Sequence, residues 1–250
     1  MMLKFFLPIL LISFNLIAQD KNVSNELLQI EYTHSIHVKG APYATVVNAT
    51  LTANAYTALY EMDFMGDKNF TDQEDSESGP ILRIKPKKND FVFKDYKNRH
   101  FYSIMRVSMK PFLVKDSMSI FNWKIENEFK NVIGYKCQKA TAEYRGRTYV
   151  AFFTTATPFN NAPWKFANLP GLILEVYSTD KVLEIIANKL EIKNQSTVIE
   201  NPYEKDLKNS ISWHDFIIEY KKKHDEMLRF RGPNNSTMSI PKEGIEVYIE

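Results

Sequence analysis

The sequence predicts a mainly β protein of the α+β class, in which a curved antiparallel sheet or open barrel is followed by one amphipathic helix. Three observations lead to this prediction. Phe, Tyr and Trp make up 13% of the 250 residues, and such side chains pack well on pleated surfaces. Short stretches of alternating polar and apolar residues recur between polar or proline-containing connections, and a helical period is sustained only late in the chain.

The strands are predicted from period-two alternation. Between Leu28 and Val38, apolar side chains occupy every second position, which is typical of a half-buried strand. The other predicted strands are, in order, Ala49–Met62, Ile81–Lys85, Phe91–Phe93, Phe101–Val107, Phe112–Val114, Phe121–Glu128, Lys136–Glu143, Thr148–Thr155, Leu172–Ser178 and Val182–Leu190. Arg145-Gly146 is expected to form a tight hairpin turn, because Gly reaches positive φ without strain. Val182–Leu190 is apolar at nearly every position and is predicted to be central.

The helix is predicted over residues 212–230. Ser212 is its expected N-cap and Asp215 occupies the N3 position, which together resemble a capping box. Apolar residues then recur at helical spacing, so the helix is expected to pack on a face of the sheet.

Two polar regions frame these elements. The acidic stretch 63–80 is predicted to be a solvated loop, since it lacks the glycine and closing glutamate of a calcium-binding loop. After the helix, residues 231–250 are expected to form a mobile tail or to add an edge strand at Ile245–Ile249.

The beginning of the chain has the pattern of an export signal. Lys4 precedes the almost wholly apolar run 5–17, which is too short to span a bilayer and ends before a small residue, Ala18. We predict that residues 1–18 are a signal peptide and that residues 19–250 form a single domain without a transmembrane segment. The alternative is an uncleaved anchor. A lipid anchor on a cysteine is excluded at this position, because the one cysteine is Cys137.

Composition and motifs exclude several function classes. Lys and Arg number 32 against 30 Asp and Glu, so the overall charge gives no reason to expect a nucleic acid or an anionic membrane as partner. With 8 Gly there is no phosphate-binding loop, and no cofactor is predicted. His34 and His37 fall on opposite strand faces, and His214 and His224 do not converge on the helix, so no metal site is predicted from local spacing.

Cys137 is the one candidate nucleophile. Because it stands inside a predicted strand with alternating pattern, we expect its thiol to be buried and inert. The alternative is a hydrolase or thiol-dependent enzyme that uses Cys137.

The most informative segment is residues 160–171, which we call the Trp164 loop. It holds two prolines, a glycine and two large aromatic residues between strands, which predicts a rigid connection near the edge or mouth of the sheet with a type II turn at Pro170-Gly171. Its candidate contacts for a ligand or partner are Trp164, Lys165, Phe166, Leu169, Pro170 and Gly171. Arg145 and Arg147 at the hairpin tip, together with Lys165, are candidates for binding an anion, with a solvated turn as the alternative.

Several ordered motifs resemble the GLPGLI family of exported proteins from Bacteroidetes-type bacteria. They are Phe121-Asn122-Trp123-Lys124-Ile125, Gly134-Tyr135-Lys136-Cys137, Tyr144-Arg145-Gly146-Arg147, Pro163-Trp164-Lys165-Phe166 and Asn168-Leu169-Pro170-Gly171-Leu172-Ile173. Asn168 stands where the family has the first glycine of its name. The resemblance implies a diderm host and hence the periplasm, with secretion to the exterior as the alternative, and it implies no catalytic residue.

Together these observations predict a non-enzymatic binding or accessory module. Its expected partner is an apolar ligand or an envelope protein, because an open β surface rich in aromatic residues suits both. The sequence leaves the oligomeric state undetermined.

Overall fold

A computed structural model describes residues 25–37, 44–66, 75–76, 79–80, 88–232, 236 and 239–249. The predicted signal peptide (1–18) and the strand predicted at Ile81–Lys85 lie outside these residues, as does most of the predicted acidic loop.

The fold is mainly β, as predicted, and is built on one open, curved sheet of twelve strands. In chain order the strands are β1 (Glu26–Ile36), β2 (Thr45–Ala53), β3 (Thr57–Met62), β4 (Asp75–Ser76), β5 (Gly79–Pro80), β6 (Asp90–Asp95), β7 (His100–Val107), β8 (Lys110–Ser117), β9 (Lys124–Val132), β10 (Tyr135–Tyr144), β11 (Arg147–Thr154), β12 (Leu172–Ser178), β13 (Leu183–Asn194) and β14 (Ile211–Ser212). The order across the large sheet is β14-β8-β7-β6-β3-β2-β1-β13-β12-β11-β10-β9, and β4 and β5 form a separate pair.

Neighbouring strands are antiparallel except for β14, which runs parallel to β8. The central position predicted for the strand Val182–Leu190 is confirmed, because this strand corresponds to β13, which lies between β1 and β12. The hairpin turn is confirmed as well, since Arg145 and Gly146 have φ values of 46° and 76°.

Two strand predictions are wrong. The stretch Ala49–Met62 is two strands rather than one, because the Asn54 side chain accepts hydrogen bonds from the backbone of Tyr56 and Thr57 and closes a turn. Ile245–Ile249 is not an edge strand. It lies in a tail segment whose backbone makes one isolated bridge, between Glu243 and Val247, and which packs against other parts of the fold.

The helix α1 (Trp213–Arg229) begins at the predicted cap. The Ser212 hydroxyl accepts a hydrogen bond from the Asp215 backbone, and the Asp215 carboxylate accepts one in return, which completes the capping box. Phe216 and Tyr220 pack with Met105 and Val114 of β7 and β8, as expected for a helix on a sheet. Within the described ranges, no helix is long and apolar enough to cross a membrane.

The main core lies mainly on one face of the sheet, which we call the inner face, although β11 and β12 are buried on both faces. It carries Tyr32, Leu51, Tyr60, Phe101 and Tyr149, all of them fully buried. The opposite face of β6 to β8 is covered by the connection that follows β13, through Tyr203 and Leu207.

Candidate functional site

The Trp164 loop lies against the inner face of the sheet and completes its core. Trp164, Phe166 and Leu169 are buried among residues of the sheet, and the Phe166 ring packs edge-on against Tyr149, with 5.0 Å between the ring centroids. Of the eight predicted contact residues, only Pro170 is exposed. The loop therefore occupies the space over the inner face that a bound apolar ligand would need.

Lys94, which sequence analysis missed, fixes the middle of this loop to β6. The side chain is fully buried, and its Nζ donates hydrogen bonds to the backbone oxygens of Ala162 and Phe166, each at 2.6 Å. Burial lowers the pKa of Lys94 to about 7. The alternation of Phe91-Val92-Phe93-Lys94 does place Lys94 on the same face as Val92, and an isolated lysine on a predicted apolar face was the available signal.

Further hydrogen bonds anchor both ends of the loop. The Trp123 indole donates to the Ala167 oxygen at 2.8 Å, and the Asn168 amide donates to the Met118 oxygen at 2.6 Å. At the start of the loop, the Asn161 amide donates to the Tyr96 hydroxyl at 2.7 Å. These contacts explain why an irregular segment can be buried without loss of backbone hydrogen bonding.

The backbone of the loop differs from the predicted type II turn. Gly171 does not have positive φ, and the residues that do are Trp164 at 47° and Asn168 at 72°. Asn tolerates this region better than most residues, so Asn168 can adopt a conformation that otherwise favours glycine. Gly171 is required for another reason, since a Cβ there would lie 2.3 Å from the Thr154 backbone oxygen.

Four charged side chains form a buried group, which we call the charge cluster: Asp116, Arg145, Lys165 and Glu246. The Glu246 carboxylate accepts hydrogen bonds from Arg145 Nη1 and Lys165 Nζ, each at 2.5 Å, and Arg145 also pairs with Asp116. Burial raises the pKa of Glu246, but the two cations outweigh it and hold that pKa below its ordinary value. The cluster is thus an internally neutralised set of two cations and two carboxylates.

The charge cluster joins separate parts of the fold. Asp116 belongs to β8, Arg145 to the hairpin turn, Lys165 to the Trp164 loop and Glu246 to the tail (residues 239–249). The Arg145 guanidinium also lies 3.2 Å from the centroid of the Trp213 ring at the start of α1. Arg145 and Lys165 were predicted to bind an anion, and the structure places a carboxylate of the same chain between them.

Arg147 holds the tail through its backbone. Its Nε donates to the Ile245 oxygen at 2.9 Å, its Nη2 donates to the Gly244 oxygen at 2.8 Å, and it also pairs with Asp180. The Val247 amide donates in turn to the Arg145 oxygen at 3.1 Å. The side chains of Arg145 and Arg147 are therefore largely buried rather than solvated, while Gly146 between them is exposed. Glu246 and the tail were missed because a mobile tail or an edge strand was expected there, although a lone acid between Ile245 and Val247 was a visible signal.

Cys137 is buried, as predicted. Burial raises the pKa of its thiol to about 11, with the Glu175 carboxylate adding to the shift, so the group is protonated at neutral pH. The thiol lies 3.5 Å from the Tyr135 backbone oxygen. A protonated thiol without solvent access is a poor nucleophile.

The histidines offer little chemistry in this arrangement. His34 is buried beside the Tyr60 hydroxyl at 2.9 Å, and burial lowers its pKa to about 3. In the part of the chain that the structure describes, no three His, Cys, Asp or Glu side chains come together as metal ligands.

Comparison with known proteins identifies a similar fold and no family. No protein-family model matches the sequence, and no curated protein matches it. The structure is similar to PNGF-II in its P21 crystal form, with a TM-score of 0.50 and 13% identity over 80% of this chain and 34% of that chain. The C2 form gives a TM-score of 0.49 and 14% identity, over 79% of this chain and 32% of that chain.

A third match is a Vibrio parahaemolyticus domain named for outer membrane lipoprotein sorting. It has a TM-score of 0.27 and 9% identity, over 72% of this chain and 90% of that chain. This chain spans about a third of the length of PNGF-II, and the likeness to PNGF-II shows a shared fold alone.

Proposed function

We propose that the protein is an exported, non-enzymatic accessory module of the GLPGLI type that acts in the periplasm and recognises an envelope protein through its outer surface. The observation that carries the proposal is the occupation of the inner face by the Trp164 loop. A carrier of apolar ligands needs that space to be free, whereas a protein that binds a partner externally needs a rigid scaffold.

The residues that resemble the GLPGLI family support this proposal by the roles they have in the fold. Arg145, Arg147 and Lys165 neutralise or hold the tail, and Trp164 and Phe166 fill the core. We infer that these motifs are maintained for the scaffold rather than for a reaction.

Native mass spectrometry of the delipidated protein with added phospholipid and fatty acid tests the choice of partner. We expect no retained ligand and no quenching of Trp fluorescence, because Trp164 and Trp123 already contact the loop and core. Stoichiometric uptake with quenching would contradict the proposal and favour an apolar ligand. Cross-linking of the tagged full-length chain in intact cells should, in contrast, trap a defined envelope protein at a fixed ratio.

Export is tested on the same tagged chain. For a cleaved signal peptide, we expect a periplasmic location and a measured mass equal to that of a chain that begins at Gln19. A full-length chain in the cytoplasm would contradict it.

The alternative function is an enzyme that uses Cys137. Exchange of Cys137 for Ser separates the two functions. If the thiol is catalytic, the folded variant loses activity, whereas if the thiol only packs in the core, the variant loses only stability. Unchanged cross-linking to the partner by the Cys137→Ser variant is the expected result.

A further inference from the structure

One surface of the molecule combines exposed apolar side chains with lysines, although the chain as a whole is nearly neutral. It lies where the β7–β8 hairpin turn meets the second half of α1. Met109 at the turn is 81% exposed and Phe230, which follows α1, is 52% exposed. Two adjoining clefts of about 420 and 550 Å³ share Ser108, Lys223 and Glu226 and bring the turn and the helix together. We call this surface the tip patch.

The charge of the tip patch is positive. Four cations line the two clefts, namely Lys110, Lys222, Lys223 and Arg229. The carboxylates there are Glu219 and Glu226, and Glu226 is already paired with Lys223 at 3.0 Å. An anionic partner is therefore favoured here, while the whole sequence, with 32 cations and 30 carboxylates, gives no such preference.

The arrangement of these groups favours a lipid surface over a protein. Three of the four cations are lysines, which are depleted in protein interfaces but suit an array of mobile phosphates because they act as flexible point charges. Lys110 Nζ lies 4.6 Å from the centroid of the Phe112 ring, a cation–π contact that places a positive charge directly beside an apolar side chain of the patch. Met109 is 81% exposed at the end of a hairpin, where it can enter the headgroup region.

We propose that the tip patch binds the surface of an anionic bilayer, with Met109 and Phe230 at the level of the headgroups and Lys110, Lys222 and Arg229 against lipid phosphates. The inference does not depend on the envelope partner, since it concerns a different surface and a different class of ligand. It places the protein at a membrane through contacts of its surface.

Flotation of the full-length chain with vesicles tests the proposal. Vesicles of phosphatidylcholine alone are compared with vesicles that contain one third phosphatidylglycerol, at low and at high salt. We expect binding to the anionic vesicles that weakens as salt rises, because exposed charges are screened over about 10 Å at 0.1 M salt. Residues 1–18 are common to all variants, so any binding to lipid that they cause is the same in each and cannot produce a difference between variants.

Two kinds of variant separate the contributions. Lys222→Glu and Lys110→Glu should each lower partitioning at least about fivefold, the effect of losing one lysine near an anionic surface. Met109→Ser should lower it by several-fold with the salt dependence unchanged, since it removes apolar contact alone. The matched controls are Lys205→Glu and Val198→Ser, which are exposed and lie outside both clefts, and they should bind as the wild type does.

Several results would overturn the proposal. One is the absence of binding to anionic vesicles. A second is binding to neutral vesicles that equals binding to anionic vesicles in all variants, and a third is a loss of binding in the control variants as large as that in the tip-patch variants. Binding of an acidic, apolar peptide without binding to vesicles would assign the tip patch to a protein instead.

Discussion

Lys94 and Lys165 are both buried at the Trp164 loop, yet the two regions around them hold a positive charge in different ways. Lys165 meets the Glu246 carboxylate, and the neighbouring Arg145 meets Asp116 as well, so charge is balanced by charge. Lys94 meets two backbone oxygens, at Ala162 and Phe166, which are dipoles without net charge. The comparison indicates that the Lys165 region tolerates no loss of a partner, whereas the Lys94 region can release its proton near neutral pH.

The largest effect is expected from Glu246→Ala, which leaves Lys165 and Arg145 buried without their carboxylate. Removal of one member of a buried ion pair costs about 3–5 kcal/mol, because the remaining charge stays desolvated. The free energy of unfolding, measured with urea, should fall by that amount. Glu243→Ala is the control, since Glu243 is an exposed partner of Arg147 and should cost less than about 1 kcal/mol. Equal losses in the two variants would show that the charge cluster contributes no more than a surface pair.

The pH dependence of stability should report the Lys94 region. The pKa of Lys94 is about 7 in the fold and 10.5 for an ordinary lysine, so between these values the unfolded chain binds a proton that the folded chain does not. Stability should therefore rise with pH above 7, with a slope of at most about 1.4 kcal/mol per pH unit. Below pH 7 both states carry the proton, and the penalty is constant.

The window between pH 7 and 9 is the useful one for this measurement. Buried tyrosines such as Tyr32 and Tyr60 have a pKa raised by burial, and they reverse the slope above about pH 10 because the folded chain then holds the extra protons. Lys94→Met should remove the slope between pH 7 and 9. If the slope of stability against pH persists in this variant, another titrating group causes it.

A smaller loss of stability is expected from a substitution at Gly171, which lies at the end of the Trp164 loop and away from both lysines. An added methyl group would lie 2.3 Å from the Thr154 oxygen, and since that atom belongs to the backbone, the strand or the loop must shift. We expect Gly171→Ala to cost about 1–3 kcal/mol, as overpacking does. Gly134→Ala is the matched control, because its φ is +86° but nothing lies within 4 Å of the added atom. If the control loses more stability, φ rather than close contact dominates.

The smallest loss in the free energy of unfolding is expected for Cys137→Ser, which lies outside both lysine regions. The new hydroxyl can donate to the Tyr135 oxygen, which the thiol already approaches at 3.5 Å, so the loss should be about 1 kcal/mol. The native thiol should also resist a disulfide reagent at pH 8, because its pKa is raised to about 11. Rapid modification of the folded protein would reopen the question of a reactive cysteine.

Local features of the fold could be predicted from the sequence. Alternation located the strands, the Ser212–Asp215 capping box located the start of α1, and Arg145-Gly146 located a hairpin turn, because each depends on residues close in sequence. The division of Ala49–Met62 was missed because it depends on one asparagine side chain that folds back on its own backbone.

The candidate site was predicted only in part. The Trp164 loop and both arginines were recognised as unusual, but their partners were not, since Lys94 and Glu246 are separated from them by long stretches of sequence. Whether a charged or aromatic residue faces solvent or the interior depends on which distant segment covers it. Periodicity indicates the face of the strand on which a residue lies, but it does not identify the segment that covers that face.

The distance in sequence between Arg145 and Glu246 has a consequence for the timing of folding. The two residues are 101 positions apart, and a ribosome adds about 5–20 residues each second. The arginine turn is thus made roughly 5–20 seconds before its carboxylate partner. A chain synthesised only as far as the hairpin lacks Glu246, so the charge cluster cannot be completed until the tail has been made.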